Sequence, residues 1–588
     1  MTNPFIVNHF DTCAWITISH EYNLQEILLC LLDCTADLTD EMRKESNDKL
    51  ALRLHKSLKD RRYLVVTDDV WSTKAWDDIN MLFPNDNNGS RIMLTTKLSN
   101  IACYVDSFSS HHQMHFLNED ESWKLLQKKV FLEEHCPSDL QEIGKEIAKN
   151  CKGLPLTIAV IGGLLSNHNR TKDFWEHVAE NMSSIITNND EQCLKILSLS
   201  YNYLALHLRP YYLYMGAFPE DYDIRVSKLI KLWVAEGFFK PIKSKSMDEV
   251  AMESFQDLID QNLILVRQQG SNGKTKSCSI HDLLRDLCVR EGHRENFLWV
   301  VKSAATTSLD DTNCQRRLIV HANYLKVYDP SSSLFGAIND SLKSMSVARS
   351  FLGIGHFGNQ SLYLGFRLLR VLDVTDVEFS HFPEEVLELY NLRNLAFTSK
   401  SKLPSSISML KNLQTLIVHQ GEVWRPIEGE FLQLKYLKLE MMDLVHWETD
   451  DTHFPSLQHL ILKKCRQLKE IHSAIGEILM LQLIQLDDCS LDAVTSANNL
   501  RQEQVGIRNY SIEVRITFTK EVRPLRKVGS SGQSPITALQ MWMQKALLKS
   551  DTTVADVVEE NGDPGSEEEA ARVKPWHVYA RRGKKMAV

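Results

Sequence analysis

RRYLVVTDDVWS, residues 61–72, runs from two basic residues into an apolar stretch that stops at Asp68 and Asp69, with Trp71 just beyond. An apolar run without polar alternation is the pattern of a strand covered on both faces, as in a parallel sheet. In an open α/β sheet the carboxyl ends of the strands face the ligand crevice. The run therefore places two carboxylates where a ligand would lie. Taken alone, the pair could equally cap a turn, so the flanking segments decide.

Upstream stand AWITIS at 14–19 and helix-period segments near 24–32 and 48–60; downstream stands NGSRIMLTTK at 88–97. Strand-like runs alternating with helical ones predict parallel strands with helical crossovers over 1–117. The second buried run ends in Thr95, Thr96 and Lys97, which brings hydroxyls and a cation towards a γ-phosphate. NEDESWKLLQKKVF then switches to helical spacing, with Asn118 and Glu121 placed as a capping box. The helical pattern continues to 195, and CKGLPLTIAVIGGLL sets Gly153 and Pro155 just before an apolar helix. Residues 196–295 mix short helices with LILVRQQGSNGKTKSCSI, two strands around a glycine-containing turn, and suggest a winged helix. A less patterned linker covers 296–345.

LRVLDV at 369, LRNLAF at 392, LQTLIV at 413, LKYLKL at 434, LQHLIL at 457 and LQLIQL at 481 share one core, with starts 23, 21, 21, 23 and 24 residues apart. That period is the leucine-rich repeat, assigned here to 346–495. Its leucines stack inward, and intervening positions such as Arg393, Gln414, Lys435 and Gln458 face solvent. Such arrays bind proteins. Beyond 496 the repeat is lost, and NGDPGSEEEAARVKP and the basic end read as a non-repeat tail.

The composition, 43% hydrophobic and 24% charged, is that of a folded multidomain protein. A net charge of -9 argues against nucleic acid as a main partner. The 12 cysteines are scattered, as in reduced intracellular proteins, and no apolar run is long enough to span a bilayer. A cytoplasmic protein is expected, with membrane association admitted. His111, His112 and His115 lack a fourth metal ligand at recognisable spacing and read as a solvated loop.

In order, FDTCAWITIS, YLVVTDD, RIMLTTK, CKGLPLTIAV, YLYMGAFPEDYDIRVSKLIKLWVAEGF and IHDLLRDL resemble the NB-ARC module of plant intracellular immune receptors, the nucleotide-binding leucine-rich-repeat family. Trp71 and AWITIS look like the coiled-coil, non-TIR subclass, and the late blight resistance proteins of nightshades are the group most resembled, over about residues 5–495. The implied fold is a multidomain α/β chain: a partial P-loop NTPase-like parallel sheet, helical and winged-helix domains, then the repeat solenoid.

The resemblance implies ADP or ATP with Mg²⁺ as cofactor. Asp68 matches the Walker B acid that holds the metal and nucleotide, and Asp69 the acid that polarises an attacking water, the one catalytic candidate. Thr67 stands where an aliphatic residue is usual. Thr96, Lys97, Gly153 and Pro155 fall in nucleotide-binding motifs, with Lys97 in a position usually held by arginine and Pro155 matching the proline near adenine. His281 matches the histidine that contacts the ADP β-phosphate. The family's phosphate-binding loop, G-x-x-x-x-G-K-[ST], would precede AWITIS by roughly thirty residues. The sequence shows only a look-alike, GSNGKT at 270–275, with Gln268 in place of the leading glycine and a position between two strands. That stretch reads as a hairpin turn, and the chain as an N-terminally truncated receptor with weakened nucleotide affinity.

The expected function is an immune-receptor-like ADP/ATP switch whose repeats recognise a pathogen effector or a host guardee protein, with full-length receptors as further partners. It is not an enzyme beyond a residual slow ATPase. The alternative is a nucleotide-free protein-binding module, a decoy or regulator of full-length receptors.

Overall fold

In the computed structural model, Thr12–Thr17 (β1), Tyr63–Asp68 (β2) and Arg91–Thr96 (β3) form adjacent parallel strands, with β2 in the middle. Tyr63 to Thr67 are all buried, as the uninterrupted run required. Helices Leu24–Asp33 and Asn47–Leu58 cover the sheet with leucines at helical spacing: Leu28, Leu31 and Leu32 from the first, Leu50, Leu54 and Leu58 from the second. The structure describes residues 4–18, 22, 24–35, 38–39, 42, 45–105, 112–132, 134–168, 171–184, 191–239, 244–270, 273–301, 315–321, 347–355, 366–421, 424, 426, 431–447, 449, 451–504, 512–518 and 577–581. His111, most of the 296–345 linker and most of the tail beyond 518 lie outside them.

The chain divides into two compact units, one of residues 1–203, 260–265 and 524–588, the other of 204–259 and 266–523. In the first, the sheet continues past β3 with His577–Arg581, which runs antiparallel, and then His112–Gln113. A segment read as tail thus supplies a strand, which its composition gave no reason to expect. The capping box is present: Asn118 N–H donates to Glu121 Oε2 and Glu121 N–H to Asn118 Oδ1, each at 2.9 Å, opening helix α1 (Glu119–Phe131). Helix α2 (Pro155–Asn167) begins with its proline, whose missing N–H costs nothing in the first turn. It is buried nearly all round, so its sequence is apolar without a stripe.

The second unit opens with the winged-helix elements, among them helices α3 (Val226–Glu236) and α4 (Asp282–Arg294) and a three-stranded sheet of Ile224–Arg225, Thr275–Ser279 and Leu265–Gln269. Gly270 N–H donates to Lys274 O, and Gly273 takes φ +75°, so GSNGKT closes a hairpin as its flanking strands implied.

The rest is a parallel sheet of ten strands, from Trp299–Val301 to Glu513–Thr517. Its register stacks Leu372, Leu395, Leu416, Leu437, Leu460 and Ile484 in one row, and Val374, Phe397, Val418, Leu439, Leu462 and Leu486 in the next. These rows are buried in the solenoid core. The sheet begins before the six repeats seen in the spacing and ends after them. In the strand Ser350–Ile354 the leading leucine of the repeat is replaced by Ala348 and the second by Phe351, both fully buried, so the position was kept while the signature was lost. Among the described residues no helix is long and apolar enough to cross a membrane.

Because each rung packs only on its neighbours, a hole in one row is not absorbed elsewhere. Leu437→Ala should cost about 2–5 kcal/mol of solenoid stability in urea unfolding; a loss below about 1 kcal/mol would mean that the rows do not carry the core.

Candidate nucleotide site and recognition surface

At the end of β2 the chain leaves Asp68 half-buried and turns Asp69 inward, 7% exposed, with a left-handed φ of +56°. The adjacent strand receives both. Thr95 Oγ1 donates to Asp68 Oδ1, and Asp69 N–H donates to Thr95 Oγ1 at 2.9 Å. Lys97 Nζ stands 3.8 Å from Asp69 Oδ2 and 4.8 Å from the centroid of the Trp71 ring, so one cation faces Asp69 and lies over an aromatic face. Asp68, at the mouth of the sheet, is a hard oxygen donor of the kind Mg²⁺ takes while keeping its waters. The donor set therefore fits that metal.

Of the two threonines, Thr95 is the one whose hydroxyl meets the two acids. Thr96 was placed by its position in the motif, but its hydroxyl donates to Val70 O at 2.7 Å and accepts from Leu98 N–H at 3.1 Å, and the side chain is fully buried. Thr96 fixes the strand end. Neighbouring residues in a strand point to opposite faces, and sequence alone does not say which face is the site. Thr67, the departure from an aliphatic residue, is accommodated because its hydroxyl donates to Met93 O at 3.2 Å in the adjacent strand.

Gly153 has φ +69°, and a Cβ there would overlap the Leu117 carbonyl, whose own N–H donates to Gly153 O at 3.0 Å. The glycine thus presses the turn before α2 against the start of the helical region. Pro155 is exposed as the first residue of α2, and Leu154 provides no side-chain cap. The first turn of that helix offers backbone N–H groups to an acceptor, as phosphate-binding helices do. In the other unit, His281 is the N-cap of α4: its Nδ1 accepts from Leu283 N–H at 3.3 Å.

The open face of the solenoid sheet carries a second constellation. Glu440 accepts from Lys438 and Lys463, each at 2.7 Å, and lies 3.3 Å from His419 Nε2. Lys228 of α3 reaches Asp373 at 2.6 Å. Arg393, Gln414, Lys435 and Gln458 are only partly exposed, and each directly precedes its strand. Burial pushes the Glu440 carboxyl up, but Lys438 and Lys463 outweigh it and hold it at about 2. Burial and then Lys438 hold His419 at about 4, and burial and then Lys231 do the same to His459.

All three groups bind fewer protons folded than unfolded, so stability falls as pH drops: through the histidines between their free value and about 4, and through Glu440 down to about 2. The urea midpoint should therefore decrease from pH 7.5 to pH 5, and the double variant His419→Gln, His459→Gln should flatten that decrease. An equal slope in both proteins would show that these rings do not couple to folding.

Residues 2–136 match the NB-ARC domain and residues 217–288 the disease resistance protein winged helix domain. The chain is 39% identical over 428 residues to late blight resistance protein homolog R1B-14 of Solanum demissum, covering 71% of this chain and 32% of that protein. It is also 39% identical over 659 residues to homolog R1B-16 of the same plant, covering 85% and 50%. The chain thus spans a third to a half of the length of these relatives. Among solved structures, a Leptospira interrogans leucine-rich-repeat protein aligns over 34% of this chain and 55% of its own at 18% identity and a TM-score of 0.24, too distant to carry an argument. With an NB-ARC domain, a disease-resistance winged helix and a repeat solenoid in one order, the chain belongs to the plant NB-ARC leucine-rich-repeat resistance proteins, alongside the late blight resistance homologs.

Proposed function

We propose that the chain works as a nucleotide-dependent switch in a plant disease-resistance receptor, with the repeat face as its recognition surface. The observation that carries the reading is the constellation at the ends of β2 and β3. Two carboxylates, a threonine that joins them and a lysine over an indole face form a site suited to a metal-bound polyphosphate. A bound Mg²⁺ would supply charge neutralisation between phosphate oxygens. Asp68 is the residue that would hold it, through water, while Lys97 offers phosphate a point charge.

Asp69 is committed to Lys97 and to the strand end, which suits slow hydrolysis or none and favours a molecule that stays in one state until a partner displaces it. His281 and Pro155 are the residues that the family resemblance assigns to the ADP β-phosphate and to adenine. Recognition of an effector or guardee falls to the open sheet face, where Lys438, Glu440, Lys463 and His419 form a fixed charge pattern that a partner must match.

Isothermal titration with MgADP tests this. The wild-type chain should bind, and Asp68→Ala should weaken binding at least about tenfold, roughly 1.4 kcal/mol. The difference should vanish when Mg²⁺ is chelated. No binding by the folded wild-type chain would leave the protein-binding-module reading in its place.

A further inference from the structure

Two cysteines in adjacent rungs of the solenoid stand on one row. LKKC at 462–465 and LDDC at 486–489 place Cys465 and Cys489 two residues beyond Lys463 and Asp487, which face each other in the register of neighbouring parallel strands. The backbone pairing continues past the strands: Lys464 N–H donates to Asp487 O at 2.7 Å, and Ser490 N–H to Cys465 O at 3.4 Å. Lys464 and Asp488 both take a left-handed φ, +54° and +52°, so each rung makes the same turn just before its cysteine. Neighbouring strands lie ~4.8 Å apart, within the about 4.4–6.8 Å that a disulfide spans between Cα atoms.

The side chains meet as well. The two sulfurs share a hydrogen bond, and each also stands against a carbonyl of the preceding rung, Cys465 Sγ 3.8 Å from Leu439 O and Cys489 Sγ 3.3 Å from Leu462 O. Cys465 is fully buried and Cys489 is 6% exposed, so Cys489 is the sulfur that a small solute reaches first. The hydrogen bond from Cys465 holds the Cys489 thiol below its ordinary range against burial, while the same bond and burial push Cys465 up. The more accessible sulfur is therefore also the one that forms a thiolate first. In the two preceding rungs the same position is Gly421 and Met442, which add no thiol to the row.

We propose that Cys465 and Cys489 form a modification site, a dithiol that a hydroperoxide closes into a disulfide between adjacent rungs. The Cys489 thiolate attacks one peroxide oxygen, the O–O bond breaks, and the other oxygen takes a proton and leaves as water when the peroxide is hydrogen peroxide. Cys489 is then a sulfenic acid. The Cys465 sulfur displaces its hydroxyl, which departs as a second water with the Cys465 proton, and the S–S bond forms. Two thiols lose two electrons and one peroxide is reduced to two waters. The bond closes a loop between positions 24 residues apart and ties the strand that carries Lys463 to the strand that carries Asp487. The dithiol is independent of nucleotide binding at the ends of β2 and β3.

Hydrogen peroxide, titrated onto the full chain and followed by alkylation of free thiols in denaturant and non-reducing peptide mapping, is the probe. Peptides joined through Cys465 and Cys489 should appear, and dithiothreitol should separate them. Cys465→Ser should stop at the sulfenic acid, trapped on Cys489 by dimedone, whereas Cys489→Ser should leave Cys465 open to alkylation. Oxidation should raise the urea midpoint of the wild-type chain, a shift that Cys489→Ser lacks. Three results overturn the proposal: both thiols remain fully alkylated at peroxide doses that oxidise the exposed Cys30 and Cys103; Cys489 reaches the sulfinic acid without a cross-link; or either sulfur pairs with a cysteine elsewhere in the chain instead.

Discussion

Two carboxylates side by side at the end of a buried strand repel each other and lose water, and the arrangement survives only if the next strand meets them with donors. Thr95 does this for both at once: its hydroxyl is given to Asp68 and receives the Asp69 N–H. Lys97 adds the opposite charge. The register of β3 against β2 therefore determines whether a site exists at all, because a slip by one residue would exchange Thr95 for Thr96 and turn the hydroxyl to the wrong face. The buried helices around the sheet hold that register, so the core and the site are one problem.

The solenoid solves a similar problem by repetition. Its buried rows leave alternate positions on the open face, and there charge is gathered into a network. Glu440 is enclosed by two lysines and a histidine, which fix it in place. Such a network fixes shape and selects a partner by complementarity. Beside α3, Arg317 pairs with the Glu236 carboxylate and Arg370 Nη1 donates to the Glu236 carbonyl.

Much of this was legible in the residues, and the physical reasons are specific. Uninterrupted apolar runs gave the parallel strands because burial on both faces leaves no polar alternation, and the 21–24-residue spacing gave the solenoid because each rung must return its leucines to the same row. The capping box at Asn118 was readable because it depends on two residues three apart. What could not be read depended on direction or on distant pairing. Which of Thr95 and Thr96 faces the acids follows from the pleat, and the strands at 317–321, 350–354 and 513–517 lack the leucine signature and are recruited by the sheet edge beside them. The approach of Arg370 and Arg393 to the end of α3 joins segments more than a hundred residues apart, which no local pattern encodes.

If the ends of β2 and β3 form a nucleotide site, a bound nucleotide should travel with the folded protein. The most direct measurement is mass spectrometry of the small molecules released when the natively purified chain is denatured. The account predicts stoichiometric ADP from the wild-type protein. A folded protein that releases no adenine nucleotide would contradict it.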